Sequence, residues 1–169
     1  MQYTSSAANK LLKKLNDEYL DLINKENRTK EFRAAVGEDV ESVRPDYDYD
    51  ATQDALAELE RQIRILKHAI NVFNTTHNVE GFDMSVDQML VYIPQLSKRK
   101  AKLATMKAKL QKERVASEFN RSSNIIDYTY INYDLNSVEA DYQTTAELLN
   151  QAQMALDLLN NTETFEVEL

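Results

Sequence analysis

DALAELERQIRILKHAINVFNTT, Asp54 to Thr76, is the stretch on which the reading of the fold turns. Leu56, Leu59, Ile63, Leu66, Ile70 and Phe73 step by three and four without interruption. Residues so spaced share one side of an α-helix, so the pattern predicts a long amphipathic helix with a coiled-coil seam. Asp50 followed by Gln53 has the spacing of a capping box and places the start of that helix at Asp50. In NTTHNVEGF, Asn78 and Gly81 supply the turn that ends it.

Working outward toward the N-terminus, Ala8, Leu12, Leu15, Tyr19 and Leu22 form a second seam. It predicts a first helix from Ser5 or Ser6 to about Ala34. Between the two helices lies an acidic loop, residues 35–50, with six acids against Arg44. Toward the C-terminus, Ser85 with Gln88 opens a third helix whose apolar stripe is Met89, Ile93, Leu96, Leu103 and Leu110. Pro94 removes the hydrogen bond to the Leu90 carbonyl, which predicts a kink or a short break. A separate row of small residues, Ser97, Ala101, Ala104 and Ala108, runs along another face. Small side chains allow close approach of a second helix, so this helix is either central in a bundle or shared with another subunit.

Beyond it, IIDYTYINYD, Ile125 to Asp134, alternates β-branched and aromatic residues and predicts a strand over about 125–133. Its expected partner is TFEVEL, a strand over about 164–168, because an unpaired strand leaves its backbone groups unsatisfied. Between them Asp134 caps a fourth helix with the seam Val138, Tyr142, Thr145, Leu149, Ala152, Leu156 and Leu159.

Composition narrows the function. Two glycines and two prolines leave little for phosphate-cradling or catalytic loops, which need positive φ and close backbone approach. With no cysteine, thiolate metal sites, disulfides and cysteine nucleophiles are excluded. No apolar run approaches the roughly 20 residues that span a bilayer, and Lys10, Lys13 and Lys14 interrupt any signal-peptide core, so a cytoplasmic location is expected. The net charge is −8, yet residues 98–121 hold nine basic residues and two acids, leaving −15 for the remainder.

No catalytic, cofactor-binding or metal-ligating residue is assigned. His68 points away from its seam and His77 lies in a turn, and neither has zinc-helix spacing. Asp46, Asp48 and Asp50 begin like a calcium loop, but Ala51 and Ala57 stand where the loop needs glycine and a bidentate glutamate. The expectation is an enzyme-free, non-catalytic protein with an acidic solvated loop. The residues singled out for interaction are Lys98, Lys102, Lys109 and Lys112, taken as one face of a basic helix over 98–121, together with Tyr128 and Tyr130. Lysines on one face can track phosphates and tyrosines can stack bases, which makes nucleic acid the principal alternative. Lys100, Lys107 and Arg114 flank the apolar stripe and are expected to pair with acids such as Glu58, Glu60, Asp141 or Glu147. A β-pore hairpin would need a second adjacent strand, and the basic helix has no Trp to anchor it on a membrane surface.

Three features together resemble the septicolysin-like family of small, mostly helical bacterial proteins. They are the Asp54–Thr76 helix with Ile70-Asn71 and Asn74-Thr75 near its turn, the basic run followed by a tyrosine-bearing extended segment, and the late helix closing as ALDLLNNTETFEV, Ala155 to Val167. The acidic loop before Asp54 fits as well; Pro94, and Phe165 in place of a tryptophan, depart from the pattern. The resemblance implies a helical hairpin with extra helices and short strands, and its name implies a membrane-active cytolysin. It brings no catalytic residues. The combined expectation is a mainly α fold over residues 1–169, a single helical domain. It is a long antiparallel, coiled-coil-like hairpin of the middle helices in a four-helix arrangement, with a small β element near the C-terminus. The expected partner is a second copy, as a homo-oligomer; no small-molecule substrate or cofactor is called for.

Overall fold

The computed structural model describes residues 1–114 and 127–169, which are mainly helical. The described elements are β1 (Gln2–Thr4), α1 (Ser5–Thr29), α2 (Val40–Val43), α3 (Tyr49–Thr76), α4 (Val86–Lys107), β2 (Lys112–Arg114), β3 (Tyr128–Tyr130), α5 (Leu135–Thr162) and β4 (Thr164–Glu166). They fall into two compact units, Met1–Val86 with Asp157–Leu169, and Asp87–Leu156.

In the first unit the antiparallel hairpin is α1 against α3, whereas the spacing had put the hairpin on the middle helices. The two seams face each other as their periodicity requires. Ala8, Leu15, Leu66 and Ile70 are buried together with Val167, and Leu12, Leu59, Ile63 and Phe165 pack on that cluster. Fully burying a residue such as Leu66, which is 0% exposed, contributes roughly 1.5–3 kcal/mol. Further along, the Tyr19 hydroxyl donates to Glu60 Oε1 at 3.0 Å. Glu26 Oε1 accepts from the Tyr47 hydroxyl at 2.8 Å and from Gln53 Nε2 at 2.7 Å, which ties the acidic loop to both helices.

These contacts correct two expectations about ends. Asp48, not Asp50, caps α3: its Oδ1 accepts from Ala51 N at 3.0 Å, and Gln53 is engaged with Glu26 instead of closing a capping box. Helix α1 stops at Thr29, short of Ala34, and the loop that follows holds the one-turn α2 capped by Asp39. After α3, Val79 N donates to Met84 O and Val86 N to His77 O, with Gly81 at φ +78° making the reversal. That left-handed backbone is readily reached only by glycine.

TFEVEL pairs with the other end of the chain. Strand β4 is antiparallel to β1, with Tyr3 opposite Phe165 and Thr4 opposite Thr164. The Met1 ammonium donates to Val167 O at 2.9 Å, and Val167 N donates to Met1 O at 2.9 Å. Phe165 lies 5.0 Å, centroid to centroid, from Phe73, which stacks on His77 at 4.0 Å. The expected partnership with IIDYTYINYD is therefore overturned. QYT is too short to show an alternation, so its strand character comes from the pairing itself.

In the second unit α4 remains helical through Pro94 with no break. Leu90 and Pro94 are both exposed, so water can take the carbonyl that proline leaves free. Met89, Leu96 and Leu103 are buried on α4, and Val138, Thr145, Leu149, Ala152 and Leu156 on α5. Asp134 caps α5 as its position predicts: Oδ2 accepts from Ser137 N at 3.0 Å and Ser137 Oγ at 2.9 Å, and Oδ1 from Asn136 N at 3.3 Å. Strand β3 covers Tyr128–Tyr130 and pairs antiparallel with β2, Lys112 facing Tyr130 and Arg114 facing Tyr128. Ile125 and Ile126 of the predicted strand, and Phe119 and Arg121 of the predicted basic helix, lie outside the described residues.

Candidate functional site

The helix expected over 98–121 ends at Lys107, and this divides its basic face. Lys109 N reaches back to Met106 O at 3.2 Å in a closing turn, and the chain is extended by Lys112. Lys98 and Lys102 stand on α4, Lys109 lies past its end, and Lys112 belongs to β2. They do not form one helical stripe. The run reads as helix in sequence because Lys, Ala, Leu and Gln all have high helix propensity. The β2–β3 pairing overrides that weak preference.

Lys112 is committed locally. Its Nζ lies 4.0 Å from the Tyr128 ring centroid and 5.6 Å from that of Tyr130, and the rings are tilted at 6.5 Å from each other. A cation over exposed aromatic faces contributes about 0.5–1 kcal/mol. The two tyrosines remain 43% and 62% exposed on the β2–β3 ribbon. The polar tie between this segment and α4 is Tyr133, whose hydroxyl donates to Met106 O at 2.9 Å.

The lysines flanking the apolar stripe do pair within the chain, though not with the acids expected. Lys107 Nζ meets Glu139 at 2.7 Å and lies 4.9 Å over the Tyr142 ring, which Lys100 also approaches at 6.0 Å. These contacts join the last turns of α4 to the start of α5. The Lys107 hydrogen bond holds the Glu139 carboxyl below its usual range, and the bonds from Ser137 do the same for Asp134. Glu58 is paired with Arg61, whose hydrogen bonds lower its pKa to about 2. Glu60 is engaged by Tyr19.

What stands open is a second face of α4. The small row Ser97, Ala101, Ala104 and Ala108 is exposed along its length. The structure extends it backward: Leu90, 50% exposed, and Pro94 precede it at the same four-three spacing. The two extra positions were legible in the periodicity but concealed by the proline. Lys98 and Lys102 line one margin, beside Val91 at 58% exposure. Among the described residues no acid pairs with Lys98, Arg99 or Lys102. Leu110, expected to continue the buried stripe, is 65% exposed beyond the helix end.

The histidines and aspartates offer little chemistry. His68 is exposed, while His77 is half-buried on Phe73, with Nδ1 3.0 Å from Phe73 O and 3.1 Å from Thr76 Oγ1. Asp48 is engaged as a helix cap. Among the described residues no three His, Cys, Asp or Glu side chains gather as a metal site.

By fold the chain is mainly helical, with two short antiparallel sheets among the described residues. It is similar to the crystal structure of a functionally unknown conserved protein from Corynebacterium diphtheriae, with a TM-score of 0.63 at 16% identity over 98% of this chain and 100% of that one. At this identity the likeness is one of fold. No protein-family model matches the sequence, and no curated protein matches it.

Proposed function

We propose that the protein is a non-catalytic, self-assembling helical protein that meets a second copy of itself through the open face of α4. The observation that carries this is the exposed row Leu90, Pro94, Ser97, Ala101, Ala104 and Ala108. A row of small residues at heptad spacing lets two helix backbones approach closely, and a single copy gains nothing from keeping it in water. The charge pattern supports the reading. Among the described residues Lys98, Arg99 and Lys102 meet no acidic side chain, and of the six acids in residues 35–50 only Glu41 meets a basic one. A second copy can supply acids to these lysines. A cytoplasmic location and kinship with the septicolysin-like family belong to the same proposal; no described helix is long and apolar enough to cross a membrane.

Lys98, Arg99 and Lys102, which meet no acid among the described residues, also favour a second reading, a nucleic-acid contact. Light scattering at low and high salt, with and without a short duplex, separates the two. A defined oligomer that ignores the duplex supports self-assembly. A species of about the chain mass of 19.5 kDa that gains mass only with the duplex, and loses it in salt, replaces it with nucleic-acid binding.

A further inference from the structure

The chain sorts its charge by segment. From Gln88 to Lys112 stand seven bases and no acid, and from Ala35 to Glu60 nine acids against the single base Arg44. The basic segment includes most of α4, in the second unit, and the acidic one is the loop and the first half of α3, in the first unit. Among the described residues neither patch meets its counter-charge. Lys98, Arg99 and Lys102 face no carboxylate. Arg44 is taken by Glu41 at 2.7 Å and lies 5.6 Å over the Phe32 ring. Asp39 and Asp48 serve as helix caps, while Asp46 and Asp50 meet no basic side chain.

Each patch also carries exposed apolar surface. On α4, Val91, Lys98 and Lys102 follow one stripe at spacings of seven and four, with exposed Leu90 and Pro94 alongside. In the loop, exposed Val36 and Val40 bracket Glu38 and Asp39, and exposed Tyr49 stands between Asp48 and Asp50. Protein interfaces combine apolar contact with opposed charge in this way, and the charge sets orientation and partner choice. One chain therefore carries two different surfaces that complement each other.

We infer that the basic margin of α4 docks on the acidic surface over residues 36–50 of a second copy. This docking rests on the self-assembly reading and adds to it the surface that receives Lys98 and Lys102. The small row of α4 sets how closely the copies approach, and the charge pairing sets their orientation. Each copy carries one basic and one acidic surface. Reversing the charge on either should block assembly, and reversing both, in different copies, should restore it.

The test is charge reversal with mixing, read by sedimentation velocity of the full chain at low salt. One variant is Lys98→Glu with Lys102→Glu, at exposed helix positions. The other is Asp46→Lys with Asp50→Lys, which leaves the Asp48 cap in place. Each alone should associate at least about tenfold more weakly than the parent, because like charges then face one another. An equimolar mixture should associate within about threefold of the parent, since each reversed surface meets its complement. Circular dichroism confirms that the variants are folded, and the milder Lys98→Gln with Lys102→Gln should fall between parent and reversal. Reversed variants that associate as well as the parent overturn the docking and leave self-assembly intact, as does a mixture no stronger than either variant alone. A parent that stays at the chain mass refutes self-assembly itself, and the docking with it.

Discussion

Ala101→Arg is the sharpest probe of the open α4 face. In an isolated chain the change should be nearly silent. Ala101 is exposed in mid-helix, arginine is a good helix former, and the added proximity to Lys98 costs only a few tenths of a kcal/mol. Thermal stability of a monomeric preparation should therefore stay within about 0.5 kcal/mol of the parent. In the assembly the outcome differs. A guanidinium placed where two alanine rows approach has to be desolvated, and no acid stands on the row to receive it. An unpaired charge of this kind costs about 3 kcal/mol, equivalent to roughly 150-fold in the association constant. Sedimentation velocity over a hundredfold concentration range reads this directly. The parent should associate, and the variant should remain at the chain mass across the range. Ala101→Ser, which keeps the row small, should associate like the parent. A parent that stays monomeric, or an arginine variant that assembles equally well, refutes the use of this face.

Three further outcomes follow from the packing and the caps. Phe73→Ala removes a ring that is 1% exposed and lies against His77 and Phe165, so urea unfolding should show a loss of about 3–5 kcal/mol. A double cycle with Phe165→Ala should give a coupling of about 0.5–1.5 kcal/mol, and additive losses would separate the rings energetically. Asp134→Ala deletes the α5 cap and should cost about 1 kcal/mol, or about 2–4 °C in Tm, with Asp134→Asn retaining most of it. Acid should weaken the fold in a defined window. The carboxyls of Glu58, Asp134 and Glu139 are all held below their ordinary values, so the stability they contribute is complete above about pH 4.5. It is lost as pH falls through the lowered values, reaching about 2 for Glu58. A Tm-versus-pH profile should fall across that window, and Glu139→Gln should flatten its upper part; an unchanged profile in the variant counts against the Lys107 pair.

Much of this architecture was written locally. The Leu56–Phe73 seam, the Ala8–Tyr19 seam, the Asp134 cap and the Gly81 turn depend on residues within a few positions of one another. Helical periodicity and capping are short-range physics, so they survive being read without a fold. The candidate site was legible only in part. The row Ser97–Ala108 was visible as a pattern, and Lys98 and Lys102 lie at its margin, but the joining of these to Lys109 and Lys112 assumed a helix that ends earlier. Nothing between Lys107 and Lys112 signals the stop, because every residue there tolerates a helix. The β2–β3 ladder and the Lys112–tyrosine contacts impose it from outside.

By itself, then, the sequence determined where the four long helices lie and roughly where they begin, which of their faces are apolar, and which chemistries are ruled out for want of cysteine, but not where the first and third of those helices end. Tertiary structure alone decided what pairs with what. It joined QYT to TFEVEL across 160 or so residues, gave Lys107 to Glu139, moved the α3 cap to Asp48, and left the small row of α4 without a cover. The reason is that a three-residue strand carries too little local information to choose a partner, since its stability resides in a ladder formed only on closure. Likewise, whether a face is buried depends on the path of distant chain, not on the face.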